Sequence, residues 1–296
     1  MMRAFILLSL LGFGVHAGAW GGRGHHTICE AATFLVQKKG LRDYLTTRPQ
    51  MMGHLCNVPD FYWKSLGGDA TKLGNPAHFI DVEITGLKIA EVPTDFKELI
   101  TRFEGKPNQA KEGATIFSIP SEFGSAWWRA DQFFRRATAQ ETAWKNAPAP
   151  VGFKEEQDEN LPYNKLAYDF VVNLGLMGHF VGDMGQPFHG TIDYDGYMSG
   201  HGGIHSYYED TAVGAQPYNL TANVVEAARK LQMSAASKSK AERAKTAFLQ
   251  PSPVIDRMKT LTDLSVREIK DIYAVDTIKK KSELKKERGM EIKTAA

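Results

Sequence analysis

The chain has 296 residues, 43% of them apolar, with 36 lysines and arginines against 34 aspartates and glutamates and a formal net charge of +2. That length and apolar share suffice for a sizeable core, and residues 20–296 read as one domain. From the near balance of charge no polybasic surface can be inferred, so phosphate or nucleic-acid binding would need a local source of positive charge.

Residues 1–19 combine a basic start at Arg3, an apolar run over 4–15 and the small residues Ala17-Gly18-Ala19, the pattern of a cleaved secretory signal. The run is too short to span a bilayer comfortably, and no later stretch is long and apolar enough to try. The expectation is a secreted or periplasmic protein whose first mature residue is Trp20. A free terminal amine and the carbonyl oxygen of the same residue can chelate a metal in a five-membered ring, and His25 lies five residues on.

Apolar residues at helical spacing predict helices over 26–37, 94–103, 126–139, 164–183, 222–231 and 254–278, which makes an all-α fold. In 126–139 the side chains Trp127, Trp128, Phe133 and Phe134 mark the expected buried side. In 164–183 Leu166, Phe170, Leu174 and Met177 form a stripe alongside His179. Pro187 ends or kinks that helix, so His189 is expected on a turn pointing back toward it. Segments 66–76 and 190–203 read as loops at the mouth of a cleft, the second carrying Tyr194, Tyr197 and His201. Residues 279–293, rich in lysine and glutamate, read as a solvated tail. Cys29 and Cys56 are compatible with one disulfide, which export would permit, or with two small buried thiols. Asn219-Leu-Thr221 is a glycosylation sequon.

The densest chemistry lies in His179-Phe-Val-Gly-Asp183-Met-Gly-Gln-Pro-Phe-His189 followed by His205-Ser-Tyr-Tyr-Glu209. Five metal-capable side chains fall inside 31 residues. His179 and Asp183, four apart, project from one helix face and can bind one ion or bridge two, and His205 and Glu209 repeat the spacing. Imidazole with carboxylate suits zinc better than calcium or magnesium, which take nearly all-oxygen shells.

Trp20-Gly-Gly-Arg-Gly-His25, then Asp60, His78-Phe79-Ile80-Asp81, His179, Asp183, His189, His205 and Glu209 resemble the ordered ligand set of the S1/P1 nuclease family of secreted zinc enzymes. The zinc-dependent phospholipase C family shares much of that set. The resemblance runs from residue 20 to about residue 210; the last third of the chain contributes helices and no motif. It implies a helical, bundle-like fold of the phospholipase C/P1 nuclease type with three zinc ions in a cleft. Carried over position by position, it implies that Asp60, His78 and His179 hold one ion. Asp183 would bridge to a second, capped by the Trp20 amine and carbonyl and by His25, and His189, His205 and Glu209 would hold the third. The spare histidines His26, His54 and His201 fall outside the set.

The implied reaction is hydrolysis of a phosphodiester by a water that adjacent cations make acidic, with Asp60 orienting that water or taking its proton. In nucleases of this family the aromatic after the histidine stacks on a base and the later aspartate bonds the base edge, which assigns Phe79 and Asp81 to substrate. The expected substrate is single-stranded DNA, RNA or nucleotides, and no stable protein partner is expected.

Three departures weaken the nuclease reading, and the first two favour a phospholipid head group. Glu209 stands where the nucleases have aspartate, and Leu174-Gly175-Leu176 and His205-Ser-Tyr-Tyr-Glu209 are similar to the phospholipases. An arginine usual in fungal nucleases three residues after the Asp60 position is here Trp63; Lys64 follows and offers phosphate a point charge rather than a bidentate fork. A third reading is an exported zinc-binding protein without turnover.

Overall fold

The computed structural model describes residues 21–64, 67–235 and 239–277. The expected signal segment, Trp20 and the lysine- and glutamate-rich run 279–293 lie outside them. The described residues are mostly helical and form no sheet; two isolated antiparallel bridges, Ile80 with Gly124 and Pro107 with Thr115, are the extended pairings among them. Among the described residues no helix is long and apolar enough to cross a membrane.

Among the described residues six helices exceed nine residues: α1 (Gly21–Thr33), α2 (Pro49–Val58), α3 (Ala126–Ala139), α4 (Pro162–Gly185), α5 (Leu220–Ala235) and α6 (Val254–Val266). The central one is α4, packed against α1 and α2 on one side and α3 and α6 on the other. That placement explains its burial pattern. Ala167, Val171, Leu176, Phe180 and Met184 are buried, whereas the expected stripe of Leu166, Phe170, Leu174 and Met177 sits half-buried on its flanks. A helix enclosed on two faces loses the one-sided periodicity of a surface helix.

The main core lies between α3, α4 and α6. Phe133 and Phe180 stack with ring centroids 5.8 Å apart, and the buried Trp127 donates its Nε1–H to Thr262 Oγ1 at 2.9 Å. Trp127 and Phe133 are buried as expected, but Phe134 is 40% exposed at the edge of α3. On the other side of α4, glycines at 175, 178 and 182 let α1 and α2 approach closely. A methyl group added to Gly175 would stand 2.4 Å from Leu55, at Gly178 2.4 Å from Cys29 Sγ, and at Gly182 2.9 Å from His25 Nδ1.

Several expected boundaries shift. The first helix begins at Gly21 rather than 26 and ends at Thr33. The segment 254–278 is two helices, α6 and Ile269–Val275, with the chain turning at Arg267 and Glu268. Helix α2 has no counterpart in the periodicity, because Gly53 interrupts it; that glycine is needed where the His26 ring lies, 2.5 Å from a methyl added there. The expected loop 66–76 contains the short helix Gly68–Gly74 and a tight turn at Asn75–Ala77. Helix α4 ends at Gly185, and Pro187–Gly190 forms a 3₁₀ turn, since proline has no N–H to continue the ladder. A disulfide joins Cys29 of α1 to Cys56 of α2.

Candidate metal centre

Four segments deliver five of the cluster's side chains. His25 comes from α1. Asp60 comes from Pro59–Trp63, a π-helical turn that continues α2, and Glu209 from a second π-helical turn, Tyr207–Ala212. Such widened turns recur at functional sites because they rotate side chains out of the ordinary helical register. His179 and Asp183 project from the same face of α4, one turn apart.

His78 and His189 are held through backbone groups. Ile80 N–H donates to His189 O at 2.9 Å, and His189 Nδ1 donates to His78 O at 2.6 Å, so the stretch 78–80 is clasped to the turn after α4. Asp81 N–H donates to Phe123 O at 2.8 Å, on the other edge of that stretch. Gly124 has φ +89°, and a methyl there would stand 2.1 Å from Phe79 O; only glycine permits this approach.

His25, Asp60, His78, His179 and Asp183 form one continuous buried cluster. Asp183 faces His78 Nδ1 at 3.1 Å, His25 Nε2 and His179 Nε2 at 3.4 Å, and His189 Nδ1 at 3.5 Å. Asp60 lies 3.7–3.8 Å from His25, His78 and His179, and is ion-paired with Lys64 Nζ at 2.6 Å. Beyond Asp183, His189 Nε2 and His205 Nε2 meet at 3.1 Å, with Glu209 Oε1 2.7 Å from His205. The donor atoms fall into three groups able to hold a metal ion: His25–Asp60–His179, His78–His179–Asp183 and His189–His205–Glu209. Eight of the nine residues that the resemblance implies as ligands are therefore together, and the ninth, Trp20, lies outside the described residues. Asp60 stands with His25 as well as with His78, so both aspartates lie between histidines.

The atoms themselves suit cations. His25 Nδ1 and Nε2, Asp183 Oδ1 and Glu209 Oε2 are buried without a hydrogen bond, a costly state unless something else satisfies them. His179 Nδ1 donates to Cys56 O at 2.7 Å, which leaves its Nε2 lone pair facing His78 Nδ1 at 2.9 Å. The carbonyls of Cys56 and His78 thus set the tautomers of His179 and His189 with an unprotonated nitrogen inward, as metal-ligating histidines require.

The electrostatics follow from burial and these contacts. Burial, opposed by Asp183 and aided by His25, His78 and Lys64, pushes His179 well below the ordinary imidazole range, and it lowers His78 with help from Lys64. Burial would raise Asp183, but His179, His78 and His25 outweigh it and hold the carboxyl well below its usual range. In the same way His205 and His189 overcome burial and hold Glu209 at about 2. His189 is lowered by burial but raised overall by Glu209 and Asp183.

A cavity of about 370 Å³ opens beside the cluster, lined by His78, His189 and His205 and also by Lys64, Phe79, Asp81, Thr71, Asn75, Phe188 and Tyr194. Burial, aided by the charge of Glu83 and opposed by His189, pushes the Asp81 carboxyl up to about 8. Trp63 is not in the cavity; it packs on Phe133 with centroids 6.2 Å apart. Tyr197 is 74% exposed outside the cavity lining. His201 is bound to Asp276 at 2.7 Å and stacked on Tyr273, and His26 bonds Gln50, so neither joins the cluster. His54 packs edge-on to His26.

Two contributors had escaped the sequence reading. The buried Gln186 donates to Glu209 Oε1 through Nε2 and accepts the Phe188 N–H, holding the carboxylate against the turn. Asp210 places its carboxylate against Gly21, and burial together with the Glu209 charge pushes it up to about 6. Neither has a spacing signal, because each acts through a fold-dependent neighbour. The chain matches no family model, no curated protein and no solved structure.

Proposed function

We propose that this chain is an exported zinc-dependent phosphodiesterase of the S1/P1 nuclease type that cleaves single-stranded nucleic acid. The observation that carries the reading is the shared cavity. Histidines from two metal-binding groups line the same space as an aromatic ring, a carboxyl group and a lysine suited to one nucleotide. The mixed nitrogen and oxygen donors favour zinc over the harder divalent cations. The signal-like segment 1–19 supports export.

Zinc bound at these groups would supply an acidic water and neutralise charge on the phosphate oxygens. The chain's own residues do the rest. Phe79 offers its ring face to a base, a contact worth about 1–3 kcal/mol and tolerant of base identity. Asp81, kept uncharged near neutrality by burial, can both donate and accept at the base edge. Lys64 Nζ at the cavity wall gives positive charge to the phosphate, and its partner Asp60 orients the attacking water or takes its proton. His179 and His189, locked by carbonyls, keep the inward lone pairs aligned.

Glu209 and the string His205-Ser-Tyr-Tyr-Glu209 favour phospholipid as the second reading. One assay separates the two. Zinc-loaded protein is given single-stranded DNA, single-stranded RNA and a phosphocholine diester, with and without chelator. Chelator-sensitive cleavage of the nucleic acids is expected. Release of phosphocholine without nucleic-acid cleavage would transfer the site to lipid, and bound ions without turnover of any substrate would leave a metal-binding protein.

A further inference from the structure

The disulfide lies directly behind one of the three metal-binding groups. Cys29 is one helical turn after His25, and Cys56 one turn before Asp60. The carbonyl of Cys56 accepts the His179 Nδ1–H at 2.7 Å. Gly178, the residue before His179, fits against both sulfurs: a methyl added there would come 2.4 Å from Cys29 Sγ and 3.6 Å from Cys56 Sγ. Both cysteines are buried, at 2% and 0% exposure. His25, Asp60 and His179 are the members of a single group, and each is tied to the bridge by one turn or one hydrogen bond. The group His189–His205–Glu209 is fixed separately, by His78 O and by Gln186.

We infer that the Cys29–Cys56 disulfide is a positioning element of the metal centre, holding α1, α2 and α4 so that His25, Asp60 and His179 converge on one ion. The inference rests on the proposal that these groups hold metal. It assigns the bridge a local task in addition to any stabilisation from closing a loop of the unfolded chain. Without the bridge no covalent bond fixes the approach of α1 to α2, on which depend ligands whose distances must hold within about 0.2 Å.

The test is the full chain with Cys29→Ala and Cys56→Ala together, loaded with zinc and compared with the parent by metal analysis and by titration with a competing chelator. The expected result is a drop of at least tenfold in affinity for the ions of the buried cluster, with the ion at His189–His205–Glu209 kept and helical content unchanged. Equal metal content and equal chelator resistance in both proteins would overturn the inference.

Should the double variant not fold, the parent is treated with a water-soluble phosphine, which reduces the S–S bond by two electrons and, with one water supplying the oxygen and both thiol protons, leaves two thiols and the phosphine oxide. Alkylation then counts the thiols while released zinc is measured. Zinc released in step with thiol formation is expected, and full retention with both thiols alkylated would overturn the inference. A parent protein with its disulfide intact that binds no divalent ion would instead defeat the metal-centre proposal itself.

Discussion

Replacing Asp183 by asparagine keeps the side chain's shape and removes one negative charge from the middle of the cluster. That carboxylate is fully buried and faces four imidazole nitrogens at 3.1–3.5 Å. A carboxylate and a divalent cation about 3.4 Å apart interact by about 10 kcal/mol at an effective dielectric near 20. Burying the carboxylate offsets most of this, so about 2–3 kcal/mol is the expected loss for each ion it touches. That corresponds to a factor of about 100 in dissociation constant.

Calorimetric titration of zinc into chelator-stripped protein measures it. The two ions of the buried cluster should weaken by about that factor, while the ion at His189–His205–Glu209 changes severalfold at most. Unchanged affinity at the cluster would refute the reasoning, because a charge so placed cannot be irrelevant to cations bound among those histidines. Uniform weakening at all groups would refute the division into groups.

Phe79→Ala should raise KM for single-stranded substrate by about 5- to 150-fold, the equivalent of about 1–3 kcal/mol of stacking, with a smaller fall in kcat; steady-state kinetics on an oligonucleotide would show it, and an unchanged KM would remove the stacking role. Gln186→Leu should lower metal affinity at the Glu209 group by about 10- to 100-fold, since an outer-shell partner orients the ligand; a chelator titration reads the change, and loss confined to the other groups would contradict it. Acidification should release ions in a fixed order. Metal competes with protons, so binding weakens as pH falls through the folded pKa of each ligand. His189 is raised and begins to protonate above 6.5, whereas His78 and His179 are lowered and stay neutral until below it. Metal analysis after stepwise dialysis should find the His189–His205–Glu209 ion lost first; simultaneous loss or the reverse order would count against these environments.

What could be read in the chain was whatever depends on near neighbours. The helix over 126–139 and the pairing of His179 with Asp183 are consequences of 3.6 residues per turn, and Pro187 ends α4 by its missing N–H. Contacts between distant segments were not legible. The glycines at 175, 178 and 182 look like weak points in a helix until α1 and α2 are laid against them. Gly53 hid α2 for a related reason, since its value lies in the His26 ring that occupies the space of its side chain. Gln186 resembles any helix-ending polar residue until Glu209, 23 positions on, accepts its bond. Sequence spacing could place ligands on a common face, but not say that Asp60 would stand as near His25 as His78.

The central claim is that the buried histidines and carboxylates converge on divalent cations. Elemental analysis of the full chain, purified without chelator and freed of loosely bound metal, tests it most directly. The account predicts three ions per chain, predominantly zinc, two within the buried cluster, where His179 serves one of them, and one at His189–His205–Glu209. A well-folded protein that contains no divalent metal and takes up none on titration would contradict it.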